Sequence, residues 1–102
     1  MLDTEESRAA QAVRASEAEI PLFVHDPSAK VIRALFENRN LTEEHILIIA
    51  NRKNLSPEVL STIVKAPRWS ESYPVRLALA KNPKTPLFAA LSIARFLRLF
   101  DL

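Results

Sequence analysis

The residues of this sequence best suited to chemistry at neutral pH are two histidines, His25 and His45. His25 precedes Asp26, a doublet used in metal sites, but neither an HExxH motif nor paired histidines at helical spacing accompany it. His45 falls at a position that is apolar in the neighbouring predicted helices, which indicates a histidine at the core edge with one nitrogen hydrogen-bonded. The sequence therefore predicts no metal site and no cofactor.

Cysteine and glycine are both absent from the 102 residues. Without cysteine there are no disulfides, thiolate metal ligands or thiol nucleophiles, which fits a reducing compartment. Without glycine the chain lacks the residue that phosphate-binding loops, dinucleotide folds and tight hairpins normally require. The serines and threonines are explained mainly as helix caps, and no nucleophile–base set can be assembled from them. We therefore expect no enzyme, although an accessory domain that positions substrate for a separate catalytic part stays open.

Length and composition indicate one soluble globular domain. Hydrophobic residues make up 48% of the chain and charged residues 25%. The first residues are acidic and lack the apolar core of a signal peptide, and no apolar run reaches the roughly 18 residues of a membrane span. The expected location is the cytoplasm, with no membrane contact and no evident small-molecule substrate.

Helix-start signals recur at a nearly constant spacing. Candidate N-caps 14, 14, 14 and 15 residues apart are Ser28, Thr42, Ser56, Ser70 and Thr85. Proline follows Ser56 and Thr85 at the first helical position, and two glutamates follow Thr42, where the helix dipole favours them. Ser72 is a rival start for the fourth helix, and Asp26-Pro27 for the first. Asparagines are expected to end helices in the left-handed conformation, at Asn38, Asn40, Asn51, Asn54 and Asn82.

Each predicted helix carries an apolar stripe. Counted from the caps, positions +3, +4, +7 and +8 give Val31, Ile32, Leu35 and Phe36, then His45, Ile46, Ile49 and Ala50, then Val59, Leu60, Ile63 and Val64. The fourth helix is out of frame with Val75, Ala78 and Leu79, and the last offers Phe88, Ala89, Ile93, Phe96 and Leu97. Leu41, Leu55 and Trp69 precede caps as hydrophobic staples. Helices of about ten residues are too short to survive alone, so they must stack antiparallel.

The fold class predicted is all-α: a right-handed α-solenoid-like stack of about five short antiparallel helices. Residues 1–25 form an acidic N-terminal arm and an apolar lid segment, and residues 26–102 form the helical-repeat domain, which is complete or a fragment of a longer array. Within the arm, residues 1–19 are either a weak surface helix or mobile. The lid, residues 20–24, is expected to lie against the first repeat helix.

Residues 75–86, VRLALAKNPKTP, carry a family resemblance. They resemble the repeat signature of bacterial α-solenoids of the HEAT-like and leucine-rich-repeat-variant kind, a Val-Arg helix followed by Asn-Pro and a Thr-Pro helix start. A shift of 43 residues brings Arg33 and Thr42 onto Arg76 and Thr85, although Asn40 replaces the proline. The resemblance covers about residues 26 to 98 and implies a scaffold that binds other macromolecules and transmits no catalytic residues.

Charge is distributed unevenly along the chain. Residues 1–26 hold two arginines and six acids, a net −4, whereas residues 27–102 hold 12 bases and six acids, a net +6. A basic solenoid face can bind a nucleic-acid backbone, which is the alternative function. Its cations, however, cluster at predicted helix C-termini, where they complement the dipole. Acids are expected beside them, with Arg39 near Glu43 and Glu44, Arg52 and Lys53 near Glu58, and Lys65 and Arg68 near Glu71.

The C-terminal helix is apolar nearly all round, so the predicted stack ends on a surface without a neighbour. The leading hypothesis is binding of a protein partner, or of a second copy as a homo-oligomer, through this helix and an adjoining groove. Trp69 beside Arg68 is either a staple or an exposed interface aromatic. The candidate partner-binding residues are Trp69, Arg68, Arg95, Phe96, Arg98, Leu99, Phe100 and Leu102.

Overall fold

The computed structural model describes residues 4–94. This part of the chain holds α-helices and one short 3-10 turn, without a β-strand, and the predicted all-α class is confirmed. In chain order the elements are α1 (Glu5–Arg14), the 3-10 turn (Ile20–Leu22), α2 (Ala29–Leu35), α3 (Glu43–Ala50), α4 (Pro57–Lys65), α5 (Pro67–Ser70), α6 (Tyr73–Lys81) and α7 (Leu87–Ala94).

Three of the five predicted N-caps are confirmed. The hydroxyl oxygens of Ser28, Thr42 and Ser56 accept backbone N–H groups of the first helical turn, at 3.3, 3.5 and 3.1 Å. Ser70 is wrong as a cap: it closes the short helix α5, and α6 is capped by the rival candidate Ser72, which accepts from the N–H of Val75 at 3.3 Å. Side-chain acceptors therefore fix the starts of four consecutive longer helices.

Thr85 is also wrong as a cap. Its buried hydroxyl donates to the carbonyl of Leu79 at 2.7 Å, so it closes the end of α6. The first helix bond of α7 runs from the N–H of Ala90 to the carbonyl of Pro86 at 2.9 Å, which places the cap at Pro86. Cap positions 28, 42, 56, 72 and 86 are thus spaced by 14, 14, 16 and 14 residues. The longer step accommodates α5.

The apolar stripes form the core as predicted in α2, α3 and α4, where every stripe residue is buried or half-buried. Phe88 is an exception in α7, since it is 87% exposed, whereas Ile93 is buried. The reason is the position of the cap. Counted from Pro86 instead of Thr85, the inward positions become Ala89, Ala90 and Ile93, and Phe88 turns outward.

The N-terminal arm contains an ordered helix in this structure. Thr4 caps α1 by accepting from the N–H of Ser7 at 3.0 Å, and α1 packs closely against α2. Its contact face is built from small residues, Ala9 and Ala12, which are both buried and allow the two helices to approach. The predicted boundary near residue 26 stays a prediction, and a single buried cluster contains residues from both sides of it.

The lid segment is folded as the 3-10 turn and the residues after it. Ile20 and Val24 are fully buried in the core, while Leu22 between them is 77% exposed. The segment therefore covers the core with two of its apolar side chains and presents a third to solvent.

Helix ends are closed by side-chain amides rather than by left-handed backbone. Positive φ is absent from residues 4–94, so the predicted left-handed asparagines are wrong. Asn38 is buried, and its Nδ2 donates to the carbonyls of Ala12 and Ala15 at 2.7 and 2.9 Å. Its Oδ1 accepts from the N–H of Asn40 at 2.8 Å. The amide thereby donates to two carbonyls at the end of α1, and Asn40 Nδ2 adds a further bond to the carbonyl of Ala15 at 3.2 Å.

Asn82 repeats this arrangement 44 residues later. Its Nδ2 donates to the carbonyls of Ala50 and Arg52, both at 2.7 Å, and its Oδ1 accepts from the N–H of Lys84 at 2.9 Å. The end of α6 is thus fixed to the end of α3 as the end of α2 is fixed to that of α1. The equivalence lies at 44 residues, and Thr42 and Thr85, which a shift of 43 would pair, have different roles.

Contacts between helices run along one direction of the molecule. α1 packs on α2, α2 contacts α4, α4 contacts α6 and α7, and both α3 and α7 pack against α6. The structure measures 50 × 22 × 17 Å along its principal axes. The first and last described helices therefore lie toward opposite ends of an elongated body.

Removing either asparagine amide should destabilise the fold. For Asn82→Ala we expect a loss of about 2–3 kcal/mol in unfolding free energy, because the change removes the donor of the Ala50 and Arg52 carbonyls. For Asn38→Ala we expect a smaller loss of about 1–2 kcal/mol, because the Ala15 carbonyl still accepts from Asn40 and the Ala12 carbonyl from the N–H of Ala15. Asn51→Ala is the control, since this exposed side chain bonds only within its own helix, to Leu47, and should cost less than about 0.5 kcal/mol. Urea denaturation measures all three, and equal losses at the three positions would contradict the assignment.

Candidate functional site

The outer surface of α7 carries three of the four most exposed large hydrophobic side chains in the described part of the chain. Leu87, Phe88 and Leu91 are 74, 87 and 62% exposed. Spacings of three and four residues place them side by side on one face of the helix, which we call the α7 face. No residue between positions 87 and 94 is charged. The α7 face is therefore a continuous apolar surface on a helix whose opposite side is anchored by buried Ile93.

Comparison with α3 shows that this exposure is particular to α7. The two helices have the same length and lie 44 residues apart, in register with the two asparagines Asn38 and Asn82. Where α7 has Leu87 and Phe88, α3 has the exposed acids Glu43 and Glu44. A helix in this position accordingly folds with charged outer residues, and the leucine and phenylalanine of α7 are not required by its packing.

A shallow groove adjoins the α7 face, between α4 and α7. Val64 and Ala89 are half-buried in it, and exposed Lys65 and Phe88 flank it. Its walls are mainly apolar, with Ser61 and Ser92 as neutral polar groups and, among the described lining residues, Lys65 as the one that carries a charge. The groove extends the apolar surface sideways and gives it a cationic edge.

Trp69 and Arg68 form a corner between α5 and the loop before α3, with the tryptophan buried beneath the exposed arginine. Trp69 lies in α5 and is only 6% exposed. The Arg68 guanidinium stacks 4.3 Å from the centre of its ring and donates through Nη2 to the carbonyl of Leu41 at 2.7 Å. Both side chains thus hold α5 to the loop before α3. Their predicted role in partner binding stays a prediction, and the tryptophan ring is not exposed to bind one in this structure.

The remaining predicted partner-binding residues lie outside the described residues, namely Arg95, Phe96, Arg98, Leu99, Phe100 and Leu102. The described residues that sequence reasoning did not select are Leu87, Phe88 and Leu91. A cap at Thr85 predicts Phe88 in the buried stripe. The helix can begin after Thr85 or after Pro86, because the residues that follow are almost all apolar. The two starting points place different side chains on the inner face, and only the fold shows which of them are buried.

Several basic side chains form hydrogen bonds or ion pairs within the chain. Arg52, at the end of α3, donates through Nη1 to the carbonyls of Val24 and Asp26 at 2.8 and 2.9 Å. Burial lowers the pKa of Arg52, an effect that the negative charge of Asp26 opposes. Arg8 Nε contacts the Asp26 carboxylate at 2.8 Å. The sequence predicts Arg52 near Glu58 and Arg68 near Glu71. The hydrogen bonds of both guanidinium groups instead include backbone carbonyls, while Glu58 faces Arg33 at 3.8 Å.

The two histidines have no arrangement typical of catalysis or metal binding. His45 is half-buried, and its Nδ1 accepts from the N–H of Thr42 at 3.0 Å, which confirms a core-edge histidine with one nitrogen bonded. The carboxylate beside His25, Asp26, accepts from Arg8 and from the N–H of Ser28. Among residues 4–94 there is no group of three histidine, cysteine or acidic side chains that could hold a metal ion. None of the helices described is long and apolar enough to cross a bilayer.

Comparison with known proteins does not supply a relative. No protein family, no curated protein and no solved structure matches the chain. The surface of the molecule itself therefore has to indicate its function, and the α7 face is the feature that internal packing does not explain.

Replacing Arg68 tests whether the Trp69 corner is structural. Arg68→Met keeps the aliphatic stem but removes the bond to the Leu41 carbonyl and the guanidinium stacked on the ring. We expect a loss of about 1–2 kcal/mol in unfolding free energy. Lys53→Met, at another exposed basic position, should change stability by less than about 0.5 kcal/mol. Thermal unfolding followed by circular dichroism checks both, and an unaffected Arg68→Met would contradict the structural role.

Proposed function

We propose that the chain is a non-catalytic, cytoplasmic helical-repeat module that binds a protein through the α7 face and the adjoining groove. The observation that carries the proposal is the exposure of Leu87, Phe88 and Leu91 on one helix face, where the equivalent positions of α3 begin with two glutamates. Contiguous apolar surface of this kind is a mark of interaction sites on soluble proteins.

The helical repeat is itself part of this proposal, as a HEAT-like or leucine-rich-repeat-variant solenoid. It is supported by two features that recur at 44 residues. Ser28 and Ser72 cap α2 and α6 in the same way, each accepting from the N–H three residues on. Asn38 and Asn82 close equivalent pairs of helix ends. Repeats of this kind expose extended surfaces, which suits binding of macromolecules rather than catalysis in a buried cavity.

The α7 face is of a size that suits a reversible complex. Burial of a large aliphatic or aromatic side chain contributes about 1.5–3 kcal/mol, so its three residues supply roughly 5–9 kcal/mol. Association costs an estimated 4–15 kcal/mol in lost translational and rotational freedom and in ordering. The α7 face alone thus gives weak binding, and contacts along the groove, including Lys65, are needed for a stable complex.

The proposal predicts that the outer side of α7 serves binding, whereas its inner side serves folding. Phe88→Glu combined with Leu91→Glu should change unfolding free energy by less than about 1 kcal/mol, because both side chains already face water. Ile93→Glu on the opposite side should cost about 3 kcal/mol or more, because it buries a charge. Urea denaturation measures the difference. A comparable loss in the outer-face variant would indicate that the α7 face serves the fold.

Binding is tested with the same outer-face variant. Tagged wild-type chain and the Phe88→Glu/Leu91→Glu chain are used to capture proteins from lysate, with and without nuclease. We expect a set of proteins retained by the wild type, unaffected by nuclease and lost with the variant. Identical sets for the two chains would contradict docking through α7.

Nucleic-acid binding is the second candidate function. It is favoured by Lys53 and Lys81, two exposed lysines that line one depression together with Asn51. Against it, Arg52 and Arg68 use their guanidinium groups to bind backbone carbonyls within the chain. These two guanidinium groups are therefore engaged within the chain, and phosphate contacts dominate affinity in such complexes.

Salt dependence distinguishes this candidate from protein docking. We expect a fluorescently labelled duplex DNA and a duplex RNA to show no binding to the chain in anisotropy titrations at low salt. Binding that weakens steeply with added salt and is lost in Lys53→Glu/Lys81→Glu, but not in Phe88→Glu/Leu91→Glu, would instead favour the nucleic-acid function.

A further inference from the structure

A second exposed apolar patch lies on the N-terminal part of the molecule. Leu22 is 77% exposed and Phe23 is half-buried, and together with Gln11, Arg14 and Glu19 they line a shallow depression beside α1. We call Leu22 and Phe23 the N-terminal patch. The same segment already contributes Ile20 and Val24 to the core, so the outward side chain of Leu22 is left over from folding.

The two patches lie in parts of the chain with opposite net charge. Glu19 lines the depression of the N-terminal patch together with one cation, Arg14. The Glu19 carboxylate accepts from the N–H of Ser16 at 2.8 Å, and this bond lowers its pKa, so that it is ionised at neutral pH. The groove beside the α7 face has Lys65 at its edge. The same polarity extends over the sequence, with a net −4 in residues 1–26 and +6 in residues 27–102.

We infer that the occupant of the α7 face is the N-terminal patch of a second copy of this chain, so that copies associate head to tail. This inference rests on the proposed function, since it names the partner of the same surface. Phe88 of one copy packs in the depression beside Leu22 of the next, and Lys65 faces Glu19. Apolar burial supplies the attraction, and the charges select the orientation.

The alternative pairing of two α7 faces is less favourable. A symmetric contact of this kind would bring the Lys65 side chains of both copies to one interface, and none of the described residues that line the groove is an acid. The head-to-tail contact joins two different surfaces on an elongated body. Each added copy leaves one free patch of either kind, so the association is open-ended and its extent rises with concentration.

Two single substitutions block the two surfaces separately. Phe88→Glu removes the α7 face and keeps the N-terminal patch, whereas Leu22→Glu does the reverse. Sedimentation velocity from about 10 to 500 µM should show wild-type mass rising with concentration, and each variant alone should associate at least about 10-fold more weakly. An equimolar mixture of the variants should form a dimer and nothing larger, because each supplies the surface that the other lacks.

Matched controls test whether the loss of association is specific to the two patches. Ile48→Glu makes the same change at a partly exposed apolar position of α3 and should associate like the wild type. Glu19→Lys and Lys65→Glu should each weaken association about three-fold or more, and the chain carrying both should recover it, because the charge pair is restored with reversed polarity. Circular dichroism confirms that every variant is folded.

Three outcomes would overturn the inference. The first is a wild type that stays monomeric up to 500 µM, and the second is a mixture of the two variants that fails to form a dimer. The third is association abolished by Phe88→Glu but untouched by Leu22→Glu, which indicates symmetric pairing of α7 faces. The α7 docking proposal is judged separately, by loss of captured proteins in Phe88→Glu/Leu91→Glu, so either idea can fail alone.

Discussion

The fold depends on how a chain without glycine satisfies the carbonyl groups at its helix ends. Each α-helix leaves four carbonyls without intrahelical partners, and the left-handed turn that usually serves them favours glycine. Here the Asn38 and Asn82 side chains provide the donors from a neighbouring helix. The same hydrogen bonds therefore close the end of one helix and attach it to its neighbour. Short helices that would be unstable alone are thus held together at their ends by buried hydrogen bonds, in addition to apolar packing.

Arginine side chains make a second set of such links. Arg52 and Arg68 reach carbonyls 26 to 28 residues earlier in the chain, in the loops before α2 and α3. A guanidinium group has five N–H donors on a long side chain and can therefore join loops that do not touch directly. These contacts occupy guanidinium donors that the composition alone would assign to solvent.

Much of the helical organisation could be predicted from local sequence. Ser28, Thr42 and Ser56 cap helices because their short polar side chains and the following residues suit the first turn, and the stripes of α2 to α4 follow directly. The roles of Asn38 and Asn82 could not be predicted, because their partners lie 23 to 32 residues away. The α7 face was only partly foreseen. The apolar character of the helix is evident in its sequence, but which residues turn outward depends on a cap position that two adjacent residues, Thr85 and Pro86, could both supply.

The insertion of α5 also determines the surroundings of the single tryptophan, and with them its fluorescence. The chain contains one tryptophan, Trp69, and this insertion holds it beneath the Arg68 guanidinium at the join between α4 and α6. A cation stacked on an indole ring and a shielded environment both alter its emission. Tryptophan fluorescence therefore monitors the packing of α5 at the join between α4 and α6.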